Sequence, residues 1–146
     1  MTYSPIASDL LIIVDVQNDF LPGGALAVPD GDKVVPVINT LALKFETIIL
    51  TQDWHPRNHI SFASNHPEKS INEEINVGYG KQILWPDHCV QDTKGAAISN
   101  ELSVPLARLI IRKGTDPNID SYSAFMEAAW KSMDNAGVNR IRSSCL

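Results

Sequence analysis

Apolar positions along the chain fall into three short runs, separated by longer stretches in which polar residues dominate. The runs are Leu10–Val14, Thr47–Leu50 and Ala107–Ile111. Continuous, β-branched runs of this length are typical of strands that are covered on both faces, as in parallel sheets. Between the first two runs, Asp30–Phe45 carries apolar residues close to helical spacing, at Val34, Val35, Ile38, Leu41, Ala42 and Phe45. Strand, helix and strand in this order predict a βαβ unit and the α/β class.

The remaining segments complete a coarse prediction of secondary structure. Asp30 or Asp32 is the expected N-cap of the first helix. Asn58–Gly80 is polar and is predicted to be an irregular loop, followed by a short extended piece at Gln82–Trp85. Ser123–Asp134 has the apolar spacing of a second helix. We therefore expect residues 1–146 to form a single domain.

Composition and charge narrow the classes of function. A hydrophobic fraction of 44% and a charged fraction of 20% are ordinary for a globular domain. The net charge of −5 gives no basic surface, so we expect neither nucleic acid nor a membrane as a partner. Met1–Asp9 lacks the pattern of a secretory signal, and two cysteines do not make a disulfide framework. These features predict a cytoplasmic protein.

Charged residues end or follow the three predicted strands. They are Asp15, Asp53 and Lys113. Parallel strands present their carboxyl ends along one edge of the sheet, where open α/β sheets bind their ligands. Each residue also has an ordinary interpretation, in which Asp15 caps local backbone amides and Lys113 is a solvated cation. Their common position at one edge favours a functional site.

Asp53, His55 and His88 are candidate ligands of one divalent metal ion. One carboxylate and two imidazoles with open positions suit Zn²⁺ first, with Fe²⁺ or Mn²⁺ as alternatives. His59 is a candidate for an additional ligand or for a residue that supports one, and His66 is expected on the surface. The alternative interpretation is solvated loop chemistry, which is the commoner fate of an isolated Asp-x-His pair.

Several aromatic residues could line a slot for a flat substrate, or could equally belong to the core. They are Phe20, Trp54, Trp85 and Tyr122. If Lys113 lies beside Asp15, the ion pair between them could hold a nearby thiolate.

Four segments resemble motifs of the nicotinamidases (pyrazinamidases), which are members of the isochorismatase-like superfamily of cysteine hydrolases. They occur in the family's order as VDVQNDFLPGGALAV (Val14–Val28), TQDWHPRNHISFASNHP (Thr51–Pro67), LWPDHCVQ (Leu84–Gln91) and KGTDPNIDSYSAF (Lys113–Phe125). The combination of DWHP with WPDHC distinguishes nicotinamidases from isochorismatases, which lack this metal set. The resemblance implies a Rossmann-like, three-layer α/β fold with a mainly parallel sheet, usually within an oligomer. It also implies hydrolysis of nicotinamide to nicotinate and ammonia in NAD salvage, with pyrazinamide as a related substrate.

The same resemblance implies a role for each candidate residue. Asp15 resembles the aspartate that takes the proton of the catalytic thiol and later serves as an acid, and Lys113 resembles the lysine of the same triad. Asp53, His55 and His88 resemble the ligands of a metal ion that holds the pyridine nitrogen. Phe20, Trp85 and Tyr122 resemble the family's residues that sandwich the pyridine ring.

The sequence departs from the family at the nucleophilic cysteine. In nicotinamidases this residue lies in an Asp-x-Cys-Val segment that opens a helix, and no such segment occurs in this sequence. Cys89 belongs to the HCV motif, whose cysteine is not the family's nucleophile, and Cys145 lies in a tail without the family's glycine turn. We therefore expect a form truncated before the catalytic cysteine, without the family's C-terminal strands and helix, and impaired in activity. The alternative is a non-catalytic remnant that binds a metal or nicotinamide.

Overall fold

The computed structural model describes residues 4–121, which form five strands and one α-helix. In chain order they are β1 (Leu10–Ile13), α1 (Val34–Ala42), β2 (Thr47–Asp53), β3 (Glu74–Val77), β4 (Gly80–Ile83) and β5 (Ala107–Lys113). β1, β2 and β5 pair in parallel with β2 in the centre, and β3 and β4 form an antiparallel hairpin. None of the helices in this range combines the length and apolar character that a bilayer crossing requires.

The hydrophobic core lies between α1 and the parallel sheet. Ile13, Ile48 and Leu50 form its sheet side, and Val35 and Ala42 of α1 pack in the same cluster. Ile48 is fully buried because β2 has a strand on each side. Complete burial of one side chain of this size contributes about 1.5–3 kcal/mol. This packing fixes the positions of the strand ends.

All three predicted strands are confirmed, and two of them are longer than predicted. β2 continues to Asp53 and β5 continues to Lys113, so both charged residues end a strand instead of following it. Asp53 and Lys113 are also direct neighbours in the register of the two strands. Asp15 lies just beyond Ile13, the last residue of β1, and has a left-handed φ of 52°. The βαβ unit formed by β1, α1 and β2 agrees with the prediction.

The start of the first helix differs from the prediction. α1 begins at Val34, after a 3₁₀ turn at Gly31–Lys33. Asp30 precedes this turn with a left-handed φ of 58°, and its side chain caps no backbone N–H. The carboxylate of Asp30 instead pairs with Lys33 at 2.9 Å. The prediction that Asp30 or Asp32 caps the α-helix is therefore wrong.

The polar segment before the second histidine motif contains more regular structure than predicted. Asn58–Gly80 includes β3, and the extended piece begins at Gly80, before the predicted Gln82–Trp85. The side chains of β3 alternate between exposed and half-buried, so the hairpin leaves only a weak apolar signal in the sequence. The predicted helix at Ser123–Asp134 lies outside the described residues.

Isolated backbone bridges tie the loops together at the carboxyl edge, which we define as the ends of β1, β2 and β5. The bridges are Gln17–Ile98, His55–Val90 and Phe62–Trp85. Residues 85–98, here called the His88 loop, therefore lie alongside the segments that follow β1 and β2. This arrangement brings the two histidine motifs to one place.

Candidate active site

A buried lysine links two carboxylates at the carboxyl edge. The Lys113 Nζ lies 2.8 Å from Asp15 Oδ2 and also donates to Asp53 Oδ1. Burial alone would lower the pKa of Lys113, but the charges of Asp53 and Asp15 outweigh it and hold this pKa above its ordinary value. Burial would likewise raise the pKa of Asp53, but the adjacent His55 ring and the charge of Lys113 lower it. The site therefore holds a buried ammonium group between two carboxyl groups.

Asp15 is held by long-range contacts. Its Oδ1 accepts a hydrogen bond from the Thr51 hydroxyl at 2.6 Å, and its backbone N–H donates to Thr51 Oγ1 at 3.2 Å. Its other carboxylate oxygen pairs with Lys113. The structure thus brings Asp15, Asp53 and Lys113 together, and the alternative of a carboxylate that caps nearby backbone amides does not describe Asp15.

Asp53, His55 and His88 offer ligand atoms that all lie within 4.8 Å of one another. The His55 Nε2 is 3.7 Å from Asp53 Oδ2. Each of the three residues is at most 6% exposed. One carboxylate oxygen and two imidazole nitrogens at such separations can converge on a single divalent ion.

The second nitrogen of each imidazole supports this assignment. The His55 Nδ1 lies 3.0 Å from the Gly114 carbonyl, and the His88 Nδ1 lies 2.8 Å from the Pro86 carbonyl. A carbonyl at Nδ1 fixes the tautomer that leaves the lone pair of Nε2 available to a metal. Burial lowers the pKa of His88, which favours the neutral form that binds metals. The donor set therefore fits a zinc-type ion.

Gly114 packs directly against the ring of His55. Its φ is +65°, and a Cβ at this position would collide with Cε1 and Nδ1 of His55. A glycine at the end of β5 therefore lets the backbone approach closely enough to accept the bond from His55.

The other two histidines of the motif have structural partners. His59 is fully buried, with Nδ1 2.7 Å from the Ser61 hydroxyl oxygen, and its ring centroid lies 4.3 Å from that of His55. Burial, followed by the charge of His55, lowers the pKa of His59 to about 4. It packs against a candidate ligand and is absent from the three-residue ligand group. His66 is half-buried and contacts the Ile60 carbonyl at 2.7 Å, so it is a partly covered surface residue.

A cavity of about 190 Å³ opens onto these groups. Its lining contains Asp15, Phe20, Leu26, Asp53, His55, Trp85, His88, Lys113, Asp120 and Ser121. Tyr122 lies outside the described residues. Trp54 is not part of the lining, and the Arg112 guanidinium lies over its ring at 3.8 Å. A larger cleft of about 500 Å³, near Pro22 and Lys94, contains none of the candidate catalytic or metal-binding groups.

Three residues of the lining were not identified from the sequence: Leu26, Asp120 and Ser121. Asp120 is 8% exposed, and its Oδ2 accepts a hydrogen bond from the Gln82 amide at 2.8 Å. Its loop begins after β5 and reaches the hairpin, a contact between distant segments that no local pattern indicates.

Cys89 is not placed to act as a nucleophile. Its side chain is fully buried and does not line the cavity. Burial, reinforced by the charges of Asp53, Asp19 and Asp15, raises the pKa of its thiol. This agrees with the expectation that the cysteine of the HCV motif is not the nucleophile. Cys145 lies outside the described residues.

Comparison with known proteins gives consistent relatives. A model of the isochorismatase domain matches residues 9–141. The nicotinamidase of Acinetobacter baylyi is 60% identical over 118 residues, which are 81% of this chain and 55% of that protein. The nicotinamidase of Escherichia coli is 46% identical over 121 residues, which are 80% of this chain and 56% of that protein. The chain therefore spans just over half the length of these curated relatives.

Solved structures of similar proteins share the fold. A nicotinamidase/pyrazinamidase of Acinetobacter baumannii superposes with a TM-score of 0.81 at 57% identity, covering 85% of this chain and 60% of that one. The pyrazinamidase of Pyrococcus horikoshii, solved in complex with zinc, superposes with a TM-score of 0.69 at 40% identity, covering 90% of this chain and 66% of that one. The yeast nicotinamidase bound to the inhibitor nicotinaldehyde superposes with a TM-score of 0.74 at 30% identity, covering 88% of this chain and 70% of that one. The α/β isochorismatase-like fold is confirmed.

Proposed function

Because the chain belongs to the isochorismatase domain family, we propose that its site serves a nicotinamidase, which hydrolyses nicotinamide to nicotinate and ammonia. The observation that carries the proposal is the adjacency of two groups in one cavity. These are the Asp15–Lys113 ion pair and the cluster of Asp53, His55 and His88. Proteins named as nicotinamidases at 60% and 46% identity support the same activity.

The proposal includes one divalent metal ion, with zinc as the first choice and iron or manganese as alternatives. Asp53, His55 and His88 would hold it through one carboxylate oxygen and two Nε2 atoms. A bound ion would supply a Lewis acid that fixes a pyridine nitrogen and thereby orients the ring. The zinc complex of the Pyrococcus horikoshii pyrazinamidase supports this part of the proposal.

The chain's own residues would handle the proton. In the proposed reaction a cysteine sulfur attacks the carboxamide carbon while Asp15 accepts the thiol proton. The C–N bond then breaks as Asp15 returns this proton to the nitrogen, which leaves as ammonia, and water cleaves the thioester to release nicotinate. Lys113, 2.8 Å from Asp15, would keep that carboxylate oriented. Cys89 does not line the cavity, so the described residues do not supply the thiol.

The cavity suits a small flat ring. Its volume of about 190 Å³ is below the roughly 300–1,000 Å³ of pockets for drug-sized ligands. Phe20 and Trp85 supply aromatic surface beside the metal-binding histidines, and the ring centroids of Phe20 and His88 are 5.7 Å apart. Pyrazinamide, which is close in shape to nicotinamide, is the second proposed substrate. Homo-oligomer formation and a cytoplasmic location stay predictions.

Release of ammonia from nicotinamide tests the proposal. Turnover by the zinc-loaded chain that is lost in Asp15→Asn, but retained in the exposed control Asp92→Asn, would support it. The same result would contradict the predicted impairment of the 146-residue form. Binding of zinc and nicotinamide without ammonia release, with zinc binding lost in His55→Ala, would favour the non-catalytic alternative. Failure of the folded chain to bind any divalent ion would exclude the metal site.

A further inference from the structure

The Asp19 carboxylate accepts one hydrogen bond from within its own loop and one from the His88 loop. Asp19 lies on the segment after β1, and its Oδ2 accepts a hydrogen bond from the Cys89 N–H at 2.7 Å. Its Oδ1 accepts a second bond from the Ala25 N–H at 3.2 Å. Asp19 borders the larger cleft of about 500 Å³, but it does not line the cavity of about 190 Å³ at the carboxyl edge and is not a metal-ligand candidate. Its contacts therefore serve some purpose other than touching a substrate in the cavity of the candidate active site.

The Cys89 N–H belongs to the peptide plane that directly follows His88. Cys89 has a left-handed φ of 47°, which is an unfavourable conformation for a residue with a Cβ. Such a conformation persists only where the surroundings hold it. Asp19 holds the N–H of Cys89, and the His55 N–H donates to the Cys89 carbonyl at 3.0 Å. The backbone just after one candidate ligand is thus fixed between Asp19 and the other histidine.

The carboxylate of Asp19 is itself fixed in place. Its backbone N–H donates to the Gly95 carbonyl at 3.0 Å, and its carbonyl accepts a bond from the Leu26 N–H at 2.9 Å. A Cβ on Gly95 would overlap the Asp19 carboxylate group. The His88 loop therefore leaves room for this side chain at one glycine and receives its hydrogen bond at Cys89.

We propose that Asp19 is the positioning residue for the metal ligand His88, and that it acts by fixing the His88–Cys89 peptide. An ionised carboxylate accepts shorter and stronger hydrogen bonds than a neutral amide, which suits a strained peptide. Phe20 follows Asp19 in the sequence, and the Phe20 ring packs against that of His88. One residue thus sets the ligand and the aromatic wall beside it. The inference rests on the metal site of the proposed function.

Zinc affinity and the visible spectrum of the cobalt-substituted chain test this inference. Competition with a chelator should give zinc binding about 10–100-fold weaker in Asp19→Ala, since residues that orient ligands contribute on that scale. Asp19→Asn keeps the size of the side chain but loses one of its two acceptors, so a smaller decrease is expected. The control Asp92→Asn should bind like the unaltered chain, because Asp92 is exposed and its left-handed φ of 63° suits asparagine.

A second pair of variants consists of one that displaces the Asp19 side chain without changing its charge and one control. Gly95→Ala should shift the cobalt absorption bands, because its methyl group would displace the carboxylate. Gly78→Ala should leave the bands unchanged, because nothing lies within 4 Å of a Cβ at that position. The cobalt spectrum reports ligand geometry, which a loss of general stability alone would not alter.

Two results would overturn the assignment of Asp19. One is an unchanged cobalt spectrum in both Asp19→Ala and Gly95→Ala, even if these variants unfold more easily. The other is zinc affinity in Asp19→Ala equal to that of the unaltered chain. If the unaltered chain binds neither zinc nor cobalt, the metal site fails and the inference fails with it. Normal binding by the unaltered chain together with either of the first two results removes only the role of Asp19.

Discussion

His55 and His88 offer the same nitrogen to the candidate metal site, but different kinds of structure hold them. His55 lies two residues after the end of β2 and pairs with Val90 in a parallel backbone bridge. His88 belongs to the His88 loop, which contains no regular helix or strand between residues 85 and 98. Both rings are buried, and both engage a backbone carbonyl through Nδ1. The two positions thus reach the same geometry by different means.

The carboxyl edge is held by neighbours within the sheet, whereas the His88 loop is held by side chains from other segments. Asp53 and Lys113 are paired by the strand register before their side chains meet. The loop instead depends on Asp19 at Cys89, and on the Gln17 and Gln52 amides, which donate to the Ala96 carbonyl at 2.8 and 2.9 Å. Changes at the edge should therefore act mainly through charge, and changes at the loop through lost hydrogen bonds.

Removing the cation at the carboxyl edge should have the largest effect on stability. Lys113→Met leaves the carboxylates of Asp15 and Asp53 without a counter-ion, and it should lower the free energy of unfolding by about 3–5 kcal/mol. Urea unfolding in the presence of a chelator measures this change. Lys81→Met is the matched control, because the Lys81–Glu74 pair, at 2.7 Å, is exposed to solvent. Equal stability of the two variants would mean that charge does not hold the edge.

Removing the side chain that connects the carboxyl edge to the His88 loop should have the next largest effect on stability. Gln17 is fully buried; its amide donates to the carbonyls of Asp53 and Ala96, and its carbonyl accepts the Asp53 N–H. Gln17→Leu should lower the free energy of unfolding by about 2–3 kcal/mol, because the backbone groups of Asp53 lose their partners. Gln91→Leu, which removes one bond to the Trp54 carbonyl, should lose less. A Gln17→Leu variant no less stable than Gln91→Leu would contradict the coupling of edge and loop.

Backbone strain at Gly114, the glycine beside His55, should give the smallest change in stability. A second glycine with positive φ separates this strain from an effect on ligand geometry. Gly114→Ala and Gly80→Ala both place a Cβ at positive φ, +65° and +130°, and this backbone strain should cost about 1–2 kcal/mol at each position. Gly114→Ala alone should also weaken zinc binding, by about tenfold or more, since its methyl group would displace the His55 ring. Chelator competition on both variants measures the difference. Equal zinc affinities would show that the His55 ring does not need this close approach.

The sequence predicts the carboxyl edge well because the signal there is local. Apolar runs mark β1, β2 and β5, and a charged residue at each end marks the edge. Parallel strands must align these ends, so the proximity of Asp15, Asp53 and Lys113 follows from the pattern before any contact is known. The structure also gives the register of β2 and β5, which the sequence does not, and this register makes Asp53 and Lys113 direct neighbours.

The supports of the His88 loop have no comparable signal. Asp19 and Gln17 lie in the turn-rich segment after β1, and their partners Cys89 and Ala96 are distant in sequence. No periodicity links such positions, because each contact is a single hydrogen bond between irregular segments. β3 was missed for a different reason, because its side chains alternate between exposed and half-buried and carry little apolar pattern.

The position of Lys113 between Asp15 and Asp53 has a thermodynamic consequence. A single ammonium group contacts both carboxylates, so the charge felt by one depends on the state of the other. Any ligand that engages Asp53 therefore changes the free energy of a proton on Asp15. By reciprocity, a proton on Asp15 must change the affinity of that ligand by the same factor. Orientation of the ring and transfer of the proton, the two tasks proposed for this site, are thus linked through one shared cation.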